Sequence, residues 1–327
     1  MYARIVDGIR ADGSLVVLKE IKLHSDQEIP IGKLFSSGTL AKHPKNHCVP
    51  FMDVIEPSEG SGSAFVVMPY LLDTDNPPFE TIGEVVAYFK QIFELAFDSS
   101  LLWTVNKLTF ANLFLGLSDY SRPSVNRLSL LPNLFSELST TKTLPQRTSR
   151  TRKPVRYYII DFGLSRVCRP EDAPHLRQPP WGGDKSVPEF LLPDAKACDP
   201  FAVGVYCIGN SIRTHYTDVR LLKNLVFYDV IDKETTTQGW DGFAKRKQGF
   251  EFMKELVDDM TNPDPQKRPP MTDVVSRFEE ISKGLDDKKL RSPVLDVGDK
   301  LGTFEKIVHW TTQWTNKLRS IPAIPGA

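Results

Sequence analysis

The chain has 327 residues, enough for one large domain or one domain of two lobes. Apolar residues make up 40% and charged residues 25%, which excludes an intrinsically disordered composition. Lys+Arg and Asp+Glu both total 41, so no net charge draws the chain toward nucleic acid or an anionic membrane. The four cysteines form no CxxC pair, which argues against zinc and for reduced thiols. The opening MYARIVDGIR carries early charges without an apolar core, and no apolar run reaches transmembrane length. These features predict an intracellular protein, cytoplasmic or nuclear, with no nucleic-acid or membrane partner.

In chain order, Tyr2 to Ile9 and Leu15 to Ile21 read as two strands joined by the turn Ala11-Asp12-Gly13-Ser14. Residues 25–42 predict a short helix opened by Ser25-Asp26-Gln27-Glu28, with Ser25 as cap and an acidic first turn. Phe51 to Ile55 and Ala64 to Met68 are short apolar strands around a Gly/Ser turn. Thr81 to Phe97 is the clearest helix: Thr81 and Glu84 make a capping box, and Ile82, Val85, Val86, Phe89, Ile92, Phe93 and Ala96 form one apolar stripe. Gln146 to Lys153 (QRTSRTRK) reads as a solvated basic loop, with a docking or phosphorylation segment as the alternative. Tyr157 to Ile160 is predicted as a strand. From Asp199 the pattern is helical, with amphipathic helices at Phe250–Thr261 and Thr272–Leu285 around Asn262-Pro263-Asp264-Pro265. Phe304, Ile307, Val308, Thr311, Trp314 and Leu318 recur at helical spacing, and the expected use of that stripe is packing on the domain rather than on a partner or a membrane surface. A strand-rich first quarter and a helix-rich remainder predict an α+β architecture of two lobes.

Several residues stand in an order that suits phosphoryl transfer, which needs phosphates held, metal charge placed and an acceptor hydroxyl oriented. Lys19 ends Val16-Val17-Leu18-Lys19, the strand pattern of a lysine that holds α- and β-phosphates, and Glu28 in the next helix is its expected partner. Phe65-Val66-Val67-Met68-Pro69-Tyr70-Leu71 resembles a hinge that binds adenine through backbone groups. Pro69 offers only its C=O, which is all its position requires, and Leu71 offers the N–H. Asp161-Phe162-Gly163 follows the predicted strand, and its aspartate is the expected Mg²⁺ ligand. Val187-Pro188-Glu189 closes the segment, with Glu189 coming 28 residues after Asp161. Arg268, in Asp264-Pro265-Gln266-Lys267-Arg268-Pro269, is the expected buried partner of Glu189.

Across nearly its whole length the chain resembles the protein kinase superfamily. More narrowly, it is similar to divergent kinase-like proteins of mushroom-forming fungi. The matching stretches are Asn46-His47-Cys48-Val49-Pro50, Val66 to Pro69, Arg156 to Ser165, Gly182-Gly183-Asp184-Lys185 and Asp199-Pro200-Phe201. The resemblance implies a bilobal kinase-like fold: a small strand-rich N-lobe with hinge at 1–71, a larger helical C-lobe at 72–290 containing a divergent insert at 98–154, and a tail at 291–327. It also implies ATP and Mg²⁺ in the cleft.

The chain departs from the kinase pattern in identifiable places. The best match to H-R-D-x-x-x-x-N is Val105 to Asn112. There Asn112 stands as second metal ligand, but Lys107 occupies the place of the catalytic aspartate. A lysine is cationic at neutral pH and cannot accept a hydroxyl proton. No G-x-G-x-x-G loop precedes Lys19, and Gly204 stands where an aspartate normally braces the catalytic loop. Three functions follow as expectations: an ATP-binding kinase-like domain with impaired or absent phosphotransfer, an active Ser/Thr-type kinase, and a non-enzymatic scaffold for a protein partner.

Overall fold

The computed structural model describes residues 5–23, 27–57, 62–72, 74, 78–97, 108–109, 149–163, 165–167, 174, 176, 178, 184, 186–191, 197–217 and 246–326. It is a mixed α+β structure with a small antiparallel four-stranded sheet and several helices.

The sheet has the order β1 (Ile5–Ile9), β2 (Leu15–Lys22), β4 (Ser63–Pro69), β3 (Asp53–Ile55). β1 and β2 form the expected hairpin. Asp12 closes its turn by accepting from the Ser14 N–H at 2.8 Å and the Ser14 hydroxyl at 2.6 Å. The β2–β4 ladder sets Val16 opposite Pro69 and Lys19 opposite Val66. β4 is buried along most of its length and is an inner strand, paired on both edges.

The helix expected over 25–42 is instead two: α1 (Glu28–Phe35) and α2 (Gly38–Ala41). Gln27 occupies the cap of α1 without a side-chain bond, and Ser25 lies outside the described residues. The α1 backbone presses on Phe51: a Cβ at Gly32 would sit 2.1 Å from the Phe51 ring. Only a residue without a side chain fits there.

α3 (Ile82–Phe97) carries the predicted stripe into the core, with Ile82, Val85, Val86, Phe89, Ile92 and Phe93 all buried. Its cap is half of the predicted box. The Glu84 N–H donates to Thr81 Oγ1 at 3.2 Å, but the Glu84 carboxylate accepts from the Glu80 N–H at 2.7 Å. The other Glu84 oxygen accepts from both the N–H and the hydroxyl of Thr151, each at 2.8 Å.

That contact overturns the reading of 146–153 as a solvated loop for Arg150 and Thr151, which are buried, while Arg152 and Lys153 are exposed as expected. Arg150 is buried, with its guanidinium 4.2 Å from the Phe79 ring centroid and bonds to Tyr157 Oη and the Thr74 carbonyl. Local charge had suggested solvent; stacking and hydrogen bonds, visible only in three dimensions, bury it instead.

The expected strand 157–160 reduces to a single parallel bridge. The Ile159 N–H donates to the His47 carbonyl at 2.7 Å, and its carbonyl accepts from the Val49 N–H at 2.9 Å. Just beyond it, β6 (Arg166–Val167) pairs antiparallel with β5 (Leu108–Thr109).

The remaining helices are α4 (Pro200–Ile212), α5 (Lys254–Met260), α6 (Met271–Gly284), α7 (Asp287–Leu290) and α8 (Thr303–Leu318). Asp199 caps α4 by accepting from the Phe201 N–H at 2.9 Å. One cluster of buried apolar side chains runs from β2, β4 and α1 through α3 to α4, α5 and α6. Sheet and helices thus share a core. No helix among the described residues is long and apolar enough to cross a membrane.

Candidate functional site

Lys19 projects from β2 to the buried side of the sheet, where Glu28, the first residue of α1, meets it. Its ammonium lies 2.7 and 2.9 Å from the two Glu28 oxygens and 2.8 Å from Asp161 Oδ1. Burial works against the Lys19 charge, but the Glu28 and Asp161 carboxylates outweigh it and hold its pKa above the ordinary lysine value.

Asp161 is unlike its two partners, because its side chain is 51% exposed. Its Oδ1 also accepts from the Gly163 N–H at 3.3 Å, while no donor among the described residues reaches Oδ2. The backbone of Asp161 lies in the left-handed region at φ 64°. A residue with a side chain pays roughly 1–3 kcal/mol for that conformation, and such strain persists where the surroundings over-determine it. Here the neighbours do so. Ile159 is bridged to Cys48, and Phe162 is fully buried, stacked on Phe35 at 6.4 Å and tilted against Phe51 at 6.2 Å. The carboxylate is aimed outward while the next ring is pinned inside.

Pro69 ends the β2–β4 ladder beyond Lys19, and Leu71 follows two residues after it. Three rungs separate the Lys19–Val66 and Val16–Pro69 pairs, roughly 10 Å. Pro69 is buried, and the Tyr70 N–H is taken by the Leu15 carbonyl at 3.1 Å. Among the described residues nothing accepts from the Leu71 N–H.

The second group is Glu189 with Arg268. The Arg268 guanidinium forms two parallel bonds to the Glu189 carboxylate, at 2.7 and 2.6 Å. It also donates to the carbonyls of Asn262 at 2.8 Å and Ala202 at 3.0 Å, and lies 4.9 Å from the Tyr206 ring centroid. Both side chains are buried, so this is a satisfied fork rather than a surface ion pair.

The structure therefore brings together Lys19, Glu28 and Asp161, and separately Glu189 and Arg268. Lys107 and Asn112 lie outside the described residues. Among the described residues no group of three His, Cys, Asp or Glu side chains gathers to hold a metal ion. Sequence reasoning did not single out Phe35 and Phe51, which hold Phe162. Phe35 could have been found, because it lies seven residues after Glu28 and so on the same helix face. Phe51 had no local signal. No family model matches the chain, and no curated protein matches it.

Proposed function

We propose that the chain is a nucleotide-binding, protein-kinase-like domain of two lobes in which phosphoryl transfer is impaired or absent. The observation that carries this reading is the Lys19 ammonium held between the buried Glu28 and the half-exposed Asp161. An ion pair serving only stability needs no third, outward-facing carboxylate in a strained backbone. A site for phosphates and a metal needs such a carboxylate.

In this reading Lys19 contacts the α- and β-phosphates, kept in place by Glu28. The Pro69 carbonyl and the Leu71 N–H meet the adenine edge, about 10 Å away along the ladder. Asp161 Oδ2, which no donor among the described residues reaches, would hold Mg²⁺ together with Asn112, and the metal would supply positive charge beside the phosphates. Lys107 stands where a base is needed and accepts no proton from an acceptor hydroxyl. The Glu189–Arg268 fork holds the helical part together and takes no part in the chemistry.

The test is thermal melting of the full chain with ATP and Mg²⁺, beside a labelled γ-phosphate transfer assay on Ser/Thr-containing proteins. A stabilisation by ATP that Lys19→Ala removes, with no Asp161-dependent transfer, is the expected result. Robust transfer lost in Asp161→Asn would make the chain an active Ser/Thr-type kinase. Absence of any ATP-dependent shift would leave a scaffold that binds protein partners only.

A further inference from the structure

α8 is docked the wrong way round for an ordinary surface helix. Its inward face is His309, Thr312, Gln313 and Asn316, and its outward face is apolar. Phe304 is 77% exposed, Ile307 60%, Trp314 69% and Leu318 74%, with Val308 and Trp310 also exposed. The packing on the domain expected from this stripe is not what the structure has.

Polar contacts hold the helix instead. The His309 Nε2–H donates to the Arg291 carbonyl at 2.8 Å, Asn316 Oδ1 accepts from Arg152 at 3.0 Å, and Lys317 meets Asp287 at 2.9 Å. The fit is incomplete. Gln313 Oε1, Asn316 Nδ2 and Arg291 Nη1 are buried without a partner among the described residues. A buried polar group left unsatisfied destabilises the state that buries it. Hydrophobic burial therefore does not explain why α8 carries six large apolar side chains.

The arrangement of charge says what suits them. At about 100° per residue, Trp310, Trp314, Ile307, Leu318, Thr311, Phe304, Thr315 and Val308 fill an arc of roughly 160° with no charge in it. Lys306 and Lys317 border the Trp310 edge, and Arg319 borders the other. The one carboxylate of the helix, Glu305, is turned to its own cap and accepts from the Gly302 N–H at 2.8 Å. Lys317 is already tied to Asp287, so Lys306 and Arg319 are the cations that flank the arc without a carboxylate partner among the described residues.

We propose that α8 is an interfacial helix that lays its Phe304–Leu318 arc on an anionic lipid surface. Tryptophans at the arc and long cationic side chains along its edges match the layering of a membrane interface: apolar groups enter the acyl boundary and ammonium groups reach back to the headgroups. A second copy of the chain fits less well. Two α8 helices face to face would oppose like-charged edges, and the apolar seam covers about two heptads where a coiled coil needs three or four.

Cosedimentation of the full chain with vesicles tests this. The chain is expected to pellet with vesicles of equimolar phosphatidylcholine and phosphatidylglycerol, and at least about tenfold less with pure phosphatidylcholine. Trp314→Glu and Ile307→Glu should abolish pelleting. Lys306→Glu combined with Arg319→Glu should weaken it at least about tenfold. Melting temperatures should remain unchanged, since all four positions are exposed. Failure to pellet with either vesicle, equal pelleting with both, or indifference to Trp314→Glu would overturn the proposal. So would a dimer in sedimentation equilibrium that Trp314→Glu dissociates while vesicles are ignored.

Discussion

The Lys19 ammonium and the Asp161 carboxylate, 142 residues apart in the chain, meet at 2.8 Å. Glu28 completes the contact from a buried position, and the two carboxylates differ in what removing them should do. Glu28→Ala leaves a buried cation with one exposed partner and should destabilise the fold by about 3–5 kcal/mol. Asp161→Asn should cost far less stability while abolishing the Mg²⁺ dependence of nucleotide binding. Chemical denaturation and ATP-dependent melting of both variants separate the two effects.

The same geometry sets a pH dependence. The Lys19 pKa is raised on folding, so its contribution is fully present below the ordinary lysine value of 10.5 and is lost only as pH rises through the higher folded-state value. Between about pH 7 and about pH 10, ATP-dependent stabilisation should show no loss attributable to Lys19. A fall centred well below pH 10 that disappears in Lys19→Arg would contradict this.

Arg268 makes more bonds than a point charge can replace. Arg268→Ala leaves Glu189 buried and unpaired and should cost about 3–5 kcal/mol in urea denaturation. Arg268→Lys should recover less than half of that, because a lysine cannot serve both Glu189 oxygens and the carbonyls of Asn262 and Ala202 together.

Gly32 and Gly83 are places where another chain segment comes too close for a side chain. Gly32→Ala pushes on the Phe51 ring, which also packs on Phe162, and should destabilise by about 1–3 kcal/mol. Phe51→Leu should relieve part of it in a double-mutant cycle. At Gly83 a Cβ would lie 2.0 Å from the Ala323 carbonyl oxygen, so Gly83→Ala should displace the segment after α8. Limited proteolysis beyond Leu318 should then be faster, while the urea midpoint moves little.

The thiols offer a probe of the native state. Burial pushes the Cys48 thiol far up, Cys207 is pushed up to about 12, and Cys198 is raised by burial and by the nearby Glu189. Thiols held in this way stay protonated and react slowly. Alkylation of the folded chain at neutral pH, read by mass mapping, should leave all three unmodified until denaturant is added.

Legibility in the sequence followed how local each signal was. The β1–β2 hairpin and the α3 stripe were readable, because turn chemistry and helical period act over a few residues. The Glu189–Arg268 pair was readable from motif order. The cap at Ser25, the strand at 157–160 and the burial of Arg150 and Thr151 were not. For Arg150 and Thr151 long-range partners decided the outcome, Phe79 beneath the guanidinium and Glu84 for the Thr151 N–H and hydroxyl. The α8 stripe shows the limit most clearly, since its period specifies a helix with an apolar face but says nothing about which way that face turns.

Charge, apolar surface and the spacing that puts residues on one face of a helix or strand are written in the order of the residues. That Lys19, Glu28 and Asp161 share one point, that Phe35 and Phe51 hold Phe162, and that α8 turns its apolar face outward come from the fold. The physical reason is that propensity and periodicity act within a few residues, while burial, ion pairing and stacking join groups separated by most of the chain.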